Sequence, residues 1–452
     1  MRTLQDFRPY QSSALAFCDR TRRGYLAAKA GAGKTAIVLH HIANLLWDSF
    51  EVRRVLVVAP LRVVPQWGRE ARKWGATQRL RVSTYVGTKQ ARIAALAADT
   101  DVVVVSQEFY AELVQLIKAK DWPFDLVVLD DVKGLRNGGR QGSKAWKVSN
   151  AIARKTESRM LILSGSPRPK SGADLFGPVY LLDGGERLGK TLTAFRDGYL
   201  EPDKMHRQTG QVYSWRVRPG LEPKLYSDIA DLYFAVAPDL GLPYVVVDRP
   251  IEMTELGRNL YREMKRDQVI DATDLEVTAG SAGVMAGKLH QLAQGCVYAD
   301  DGRPAVVHTE KLDELEQIIE EVDGLVIVAI WYQHDRERVL AKFKDAVDIT
   351  TPEGLQAALT GGAKVAVLHP ASAGHGVDGL QLHYSTLIWF AVPYDYELYE
   401  QTNARVVRSG QTETVTIYRI VATGTIDEDI VVRLAQREQE QNEFFTHLEE
   451  AT

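Results

Sequence analysis

The segment Ala28-Lys29-Ala30-Gly31-Ala32-Gly33-Lys34-Thr35 follows a short apolar piece, Tyr25-Leu-Ala-Ala, and precedes a helical pattern from Ala36 to Leu46. A strand, a glycine-rich loop and a helix in that order are what a phosphate-binding loop requires. Glycines let successive N–H groups wrap a phosphate, and the helix N-terminus adds positive potential. Lys34 would then neutralise the β and γ oxygens, and the Thr35 hydroxyl would ligate Mg2+. Ala28 stands where the general motif has its first glycine, so the loop taken alone also fits a glycine-rich helix start. A partner motif decides between the two. Leu126-Val-Val-Leu-Asp130-Asp131 supplies two carboxylates at the end of an apolar run. Asp130 would hold Mg2+ through water, and Asp131 would orient or deprotonate the attacking water. Adjacent carboxylates repel each other unless a cation or solvent relieves them, which favours a functional role. The other readings are a cap for the following helix, or a nuclease-like trio Asp131-Val132-Lys133, which leaves the phosphate loop unexplained.

The elements that must position these groups are legible as short apolar runs. Val55–Val58, Val102–Val105, Leu126–Leu129 and Met160–Leu163 read as buried parallel strands. The segments between them, such as Val64 to Trp74 and Gln107 to Lys118, carry apolar residues at helical spacing. A second series follows at Leu325–Ile330, Val365–Leu368, Leu387–Val392 and Val415–Ile420. Alternating strands and helices in two series imply an α/β chain with two parallel-sheet lobes, and a cleft between such lobes is a natural home for a ligand. The expected division is 1–182 for the first lobe, 183–295 for a linker and 296–452 for the second. Within the linker, Glu255 to Gln294 has helical period, with Tyr261, Met264, Leu289 and Leu292 as core positions of a helical bridge.

Length and composition narrow the class. A chain of 452 residues, 45% hydrophobic and 25% charged, is a multi-domain globular protein rather than a disordered or fibrous one. No apolar run approaches the roughly 20 residues of a bilayer span, and the first residues lack a secretory pattern, so a cytoplasmic location is expected. Cys18 and Cys296 are isolated, supporting neither a disulfide framework nor a zinc site. The net charge of −4 hides an asymmetry. From Glu51 to Arg81, Arg53, Arg54, Arg62, Arg69, Arg72, Lys73, Arg79 and Arg81 outweigh two acids, whereas Thr425 to Thr452 is net −6. Charge runs are usually solvated faces, so this asymmetry lifts the case for a nucleic-acid partner only modestly.

Together with the phosphate loop and the Asp pair, five further motifs in order carry a resemblance. Arg8-Pro9-Tyr10-Gln11 lies at the start, and Val58-Ala59-Pro60-Leu61 with Gln66-Trp67 and Glu70 follows. Ser164-Gly165-Ser166-Pro167 comes after the fourth strand, and His369-Pro-Ala-Ser-Ala-Gly-His375-Gly376 lies in the second lobe. Gln401-Thr-Asn-Ala-Arg405-Val-Val-Arg408-Ser-Gly-Gln411 is last. From about Phe7 onward the chain resembles the superfamily 2 helicases, and within them the compact Swi/Snf-type translocases of phages and bacteria. The resemblance implies two RecA-like lobes that bind ATP·Mg2+. It implies that Gln11 hydrogen-bonds the adenine edge, that Ala30, Gly31, Ala32, Gly33, Lys34 and Thr35 cradle the phosphates, and that Gly376 faces the nucleotide. The segment after Gly376, Val377-Asp-Gly-Leu-Gln381, is one residue longer than the common form. Arg405 and Arg408, three apart on one helical face, would supply the forked cations that a transferring phosphoryl group needs. Trp67 and Trp74 fit a buried helix face, His375 fits a structural histidine equally well, and Lys204 to Arg218 fits either a DNA-contacting hairpin or lobe packing.

The activity implied is ATP-driven translocation on duplex DNA, nonspecific in sequence, with displacement of bound proteins or remodelling of branched DNA in a bacterial or phage-infected cell. The alternatives are a strand-separating helicase and a slow ATP-gated clamp. Asp131 stands where the family has Glu, one methylene longer. Slow hydrolysis is therefore expected, with Asp131→Glu raising turnover unless the local backbone is already built for Asp.

Overall fold

The computed structural model describes residues 1–29, 31–117, 121–136, 138–165, 171–205, 209–236, 242–272, 275–373 and 377–451. The chain divides into two compact units, Met1–Pro238 with Glu440–Thr452, and Asp239–Gln439.

In the first unit the apolar runs are strands: β1 (Arg23–Ala28), β2 (Val55–Ala59), β3 (Val82–Tyr85), β4 (Val102–Ser106), β5 (Leu126–Asp130) and β6 (Arg159–Ser164). A hairpin follows, β7 (Leu200–Met205) with β8 (Val212–Val217), and then β9 (Tyr233–Val236). The main sheet has the order β3-β4-β2-β5-β6-β1-β9, and every pairing in it is parallel. Its central strands are buried on both faces, which is why they read as unbroken Val/Leu runs. Leu26, Val55, Val57, Val102, Val104, Val128 and Leu161 face one apolar cluster, and their neighbours Ala27, Leu56, Val58, Val103, Val105 and Leu129 face the other. Helix α1 (Pro9–Arg20) begins with proline at its first position, where the missing N–H costs nothing, and buries Ala14, Leu15, Phe17 and Cys18. Helix α2 (Lys34–Ala43) starts directly after Gly33, and α3 (Val64–Ala71) buries Val64, Trp67 and Ala71.

The second unit repeats the plan. Its strands are β10 (Tyr244–Ile251), the hairpins β11 (Val269–Asp271) with β12 (Glu276–Thr278) and β13 (Cys296–Tyr298) with β14 (Pro304–Val306), then β15 (Leu325–Ala329), β16 (Val347–Asp348), β17 (Val365–Leu368), β18 (Tyr384–Trp389) and β19 (Val415–Ala422). The sheet order is β10-β19-β18-β15-β17-β16, again all parallel. The helical stretch read from Glu255 to Gln294 is two helices, Glu255–Asp267 and Ala282–Ala293, interrupted by the β11–β12 hairpin. Tyr261, Met264, Leu289 and Leu292 are buried in the core of the second unit. A buried polar knot sits in the same unit. Lys311 Nζ donates to Asp427 Oδ2 at 2.6 Å, to Gln294 Oε1 at 2.7 Å and to the Phe390 carbonyl at 3.2 Å, with both charged side chains 0% exposed.

Candidate active site

A parallel sheet delivers the ends of its strands to one edge, and that geometry assembles the site. β5, β6 and β1 are neighbours, so Asp130, Ser164 and Ala28 end side by side. Beyond Ala28 the backbone turns through Gly31 and Gly33, with φ of 83° and 82°. This left-handed conformation suits glycine, and a Cβ on Gly33 would come within 2.4 Å of Gln11 Nε2. The N-terminus of α2 opens at Lys34 and Thr35.

The loop is clamped from α1. Gln11 Nε2 donates to the Ala32 carbonyl at 3.1 Å and the Tyr10 hydroxyl to the same oxygen at 3.2 Å, while Gln11 Oε1 accepts from Arg8 N at 2.9 Å. Gln11 therefore lies against the phosphate loop. Lys34 Nζ donates to the Ala28 carbonyl at 2.7 Å, spanning the loop from its end to its start.

Asp130 is buried and accepts a hydrogen bond from Trp67 Nε1 at 3.2 Å. Burial, followed by the neighbouring Asp131, pushes its carboxyl up to about 7, against the opposing influence of Lys34 and the Trp67 N–H. Asp131 has φ 45°, a left-handed conformation that Asp tolerates better than most side chains. Its backbone N–H donates to the Leu163 carbonyl at 3.0 Å, and its Oδ1 accepts from Gly165 N at 3.2 Å. The carboxylate proposed to handle water is thus tied directly to the Ser164-Gly165 turn. Sequence reasoning placed Trp67 as a buried helix-face residue, and it is fully buried, but its ring also steadies Asp130. The position of Trp67 in α3, at the end of the strand beside β5, was the available signal. Tyr10 is the other contributor the sequence did not single out. Trp74 lies beyond the end of α3 and donates to Glu70 Oε1 at 2.9 Å.

In the second unit, the arginine pair departs from expectation in one respect. The helix Tyr396–Asn403 ends before Arg405, so the two arginines do not share a helical face. Trp389 Nε1 donates to the Asn403 side chain at 2.9 Å, and the N–H groups of Arg405 and Val406 fold back to Thr402 and Asn403 in tight turns. Those turns still bring both guanidinium groups to one loop. Arg405 Nη1 donates to the Val377 carbonyl at 2.9 Å, and Arg408 Nη1 meets Asp378 Oδ1 at 3.3 Å. Burial and the like charge of Arg408 lower Arg405 to about 10, opposed by Asp378, so it stays cationic at neutral pH. His369 Nε2 lies 2.9 Å from the Trp331 carbonyl, and the two rings stack at 5.3 Å.

Ala30, Ser166, Pro167, His206, Arg207, Gly374, His375 and Gly376 lie outside the described residues. The basic stretch is not one free stripe. Arg81 pairs with Asp99 and Asp101, Lys73 with Glu70, and Arg54 donates to the Leu96 and Ala98 carbonyls, while Arg79 lies over the Trp47 ring. The segment 204–218 holds the end of β7 and all of β8, which pair antiparallel from Leu200 to Val217. Arg216 pairs there with Glu201, and the Trp215 ring lies under Arg196.

Two parallel α/β lobes, the first carrying a glycine-rich loop ahead of a helix and a carboxylate pair on a nearby strand, define the helicase-like ATPases. The family model described as SNF2-related domain matches residues 10–289. The chain is 31% identical over 443 residues to protein p41 of Acyrthosiphon pisum secondary endosymbiont phage 1, covering 94% of this chain and 95% of that protein. It is 22% identical to the ATP-dependent helicase/translocase YwqA of Bacillus subtilis, covering 96% of this chain but 48% of YwqA. The Sulfolobus solfataricus SWI2/SNF2 ATPase core, solved in complex with dsDNA, is similar at 18% identity and a TM-score of 0.45, over 98% of this chain and 93% of that one. The chain spans nearly all of the phage protein and about half of the Bacillus one. It belongs to the SNF2-related family, the Swi/Snf-type branch of the superfamily 2 helicases, a class of DNA-dependent ATPases.

Proposed function

We propose that the chain hydrolyses ATP·Mg2+ on the loop Gly31–Thr35 and uses the energy to move along duplex DNA, displacing bound proteins or remodelling branched DNA. The observation that carries the reading is the convergence of the loop, the Asp130–Asp131 pair and the Ser164-Gly165 turn at one end of one parallel sheet. The donor set fits the cation: the Thr35 hydroxyl and the Asp130 carboxylate are hard oxygen ligands, and Mg2+ completes its shell with water and substrate phosphates. When bound, Mg2+ would neutralise charge on the β and γ phosphates.

The side chains divide the work. Lys34 exchanges its bond to the Ala28 carbonyl for phosphate oxygens, and the loop N–H groups hold the rest of the polyphosphate. Asp131, oriented by Gly165 N, accepts a hydrogen bond from the attacking water. Arg405 and Arg408 stabilise the charge that spreads over the transferring phosphoryl group. Contact with DNA is phosphate-directed and sequence-nonspecific.

The test is ATP hydrolysis without DNA, with single-stranded DNA and with duplex DNA, in the wild type and in Lys34→Ala. Stimulation by duplex and its abolition in Lys34→Ala are expected. Equal rates in the two proteins would refute the assignment. Stimulation by single strands alone would favour strand separation, and a slow rate under all three conditions would favour a clamp.

A further inference from the structure

The phosphate loop is held at its entrance by a residue far along the chain. The stretch 440–451 belongs to the first unit, although the helix that carries it, Ile426–Ala451, begins in the second. Phe444, Phe445 and Leu448 are buried in the same apolar cluster as Tyr25 and Ala27 of β1 and Tyr233 of β9. Tyr226 meets Phe444 edge-on at 5.5 Å and stacks on His447 at 5.3 Å. This anchorage presents Asn442, on the exposed side of the helix, to Lys29: Lys29 Nζ donates to Asn442 Oδ1 at 2.8 Å.

Lys29 is the first residue after β1, where the strand becomes the loop. Its N–H donates to the Val236 carbonyl of β9 at 3.3 Å, and its own carbonyl accepts from Ala32 N at 3.2 Å. Both backbone groups and the side chain are therefore engaged, with β9, with the loop itself and with the helix Ile426–Ala451. Ala32 in turn receives Tyr10 and Gln11 on its carbonyl. One end of the loop is braced from α1 and the other from the helix Ile426–Ala451.

We propose that Asn442 is a positioning residue for nucleotide binding: by holding Lys29 it fixes the entrance of the phosphate loop, so that the docked segment 440–451 sets the affinity for the polyphosphate of ATP. This rests on the nucleotide reading of the loop given above. A cradle of backbone N–H groups binds best when it is ordered beforehand, because a loose loop loses conformational entropy on closing around the ligand. Asn442 acts through Lys29 and takes no part in bond breaking, so its effect falls on binding.

The test uses the full chain with Asn442→Leu, Asn442→Asp and Lys34→Ala. Readouts are KM and kcat for ATP, titration with a fluorescent ATP analogue, hydrogen exchange of residues 31–36, and Tm. Asn442→Leu is expected to raise KM about three- to tenfold, the range a lost hydrogen bond spans, with kcat at saturation and Tm unchanged. Amide exchange at Ala32 should quicken. Asn442→Asp, which keeps an acceptor for Lys29, should restore the wild-type KM. An unchanged or lower KM in Asn442→Leu overturns the proposal, as does a rise that Asn442→Asp leaves in place or that comes with a lower Tm. If Lys34→Ala also binds nucleotide normally, the reading of the loop falls too. If Lys34→Ala is inactive while Asn442→Leu behaves as wild type, only the role of Asn442 falls.

Discussion

Lengthening Asp131 to Glu asks whether this site is a shortened version of a Glu site or one built for Asp. The left-handed backbone at φ 45° and the 3.2 Å bond from Gly165 N to Oδ1 favour the second answer. One extra methylene moves the carboxylate by about 1.5 Å, the length of a C–C bond. If the longer side chain stays extended, the hydrogen bond to Gly165 is lost, a cost of about 1.5–3 kcal/mol for a charged acceptor. If it folds back to keep that bond, the oxygen facing the water is displaced, and misplacement by about 1 Å costs on the order of 100-fold in rate. Either route lowers turnover, so Asp131→Glu is expected to reduce kcat about 10- to 100-fold. Nucleotide affinity should hold within about twofold, since charge and the phosphate loop are unchanged. Single-turnover hydrolysis at saturating duplex DNA, with nucleotide titration alongside, measures both quantities. A rise in kcat would show that the bond to Gly165 holds the carboxylate too far back, and that the shorter side chain is a defect.

The other outcomes follow from named contacts. Burial and the neighbouring Asp131 raise the Asp130 carboxyl to about 7 in the nucleotide-free protein, so with Asp130 as the proposed Mg2+ ligand protons compete with the cation and KM for Mg·ATP should climb as pH falls from 8 to 6; Trp67→Phe removes the N–H at 3.2 Å and should strengthen that dependence. The sign for stability is opposite: a raised carboxyl favours the folded, nucleotide-free protein at low pH, and that contribution is lost as pH rises through about 7, which pH-dependent Tm without nucleotide would record. Arg405→Ala should lower kcat far more than nucleotide affinity, checked by the same titration, and normal turnover would reduce the pair to a structural feature of the 377–378 loop. Lys311→Met strands the buried Asp427 carboxylate and should cost about 3–5 kcal/mol in urea unfolding, whereas a loss below about 1 kcal/mol would show that water reaches the pair.

What the sequence made legible was the inside of each sheet. β1, β2, β4, β5 and β6 in the first unit, and β15, β17, β18 and β19 in the second, are buried runs whose composition announces them. Of the strands in the two large sheets, those that escaped notice, β3, β9, β10 and β16, are the four sheet edges; the short hairpins β11–β12 and β13–β14 escaped it too. Edge strands are partly solvated: β3 is the mixed Val82-Ser-Thr-Tyr, and the apolar runs Tyr233-Phe-Ala-Val of β9 and Tyr244-Val-Val-Val of β10 are largely short of full burial, so composition alone does not set them apart as strands. The glycine-rich loop between β1 and α2 and the Asp pair at the end of β5 were readable because each is a short run of neighbouring residues. The contacts of Tyr10, Trp67, Gly165 and Asn442 were not, since each joins residues distant in the chain and depends on packing that spacing does not encode. The helical face assigned to Arg405 and Arg408 failed for a related reason: the side-chain bond from Trp389 to Asn403 marks the end of the helix, and Trp389 belongs to another element.

The division of the chain sets an order of events during synthesis. The first unit takes its sequence from both sides of the second, which is inserted as roughly 200 residues between Pro238 and Glu440. At about 5–20 residues per second, a ribosome needs roughly 10–40 s to cross that insertion. Throughout this interval the apolar surface destined for Phe444, Phe445 and Leu448 has no cover, and the bond to Lys29 cannot form. The nascent ATPase unit is thus left with an open seam while the second unit emerges and folds. A chain cut short between residues 411 and 440 would carry every motif recognisable by sequence and still leave that seam unclosed, a form suited to capture by chaperones and proteases rather than to work on DNA.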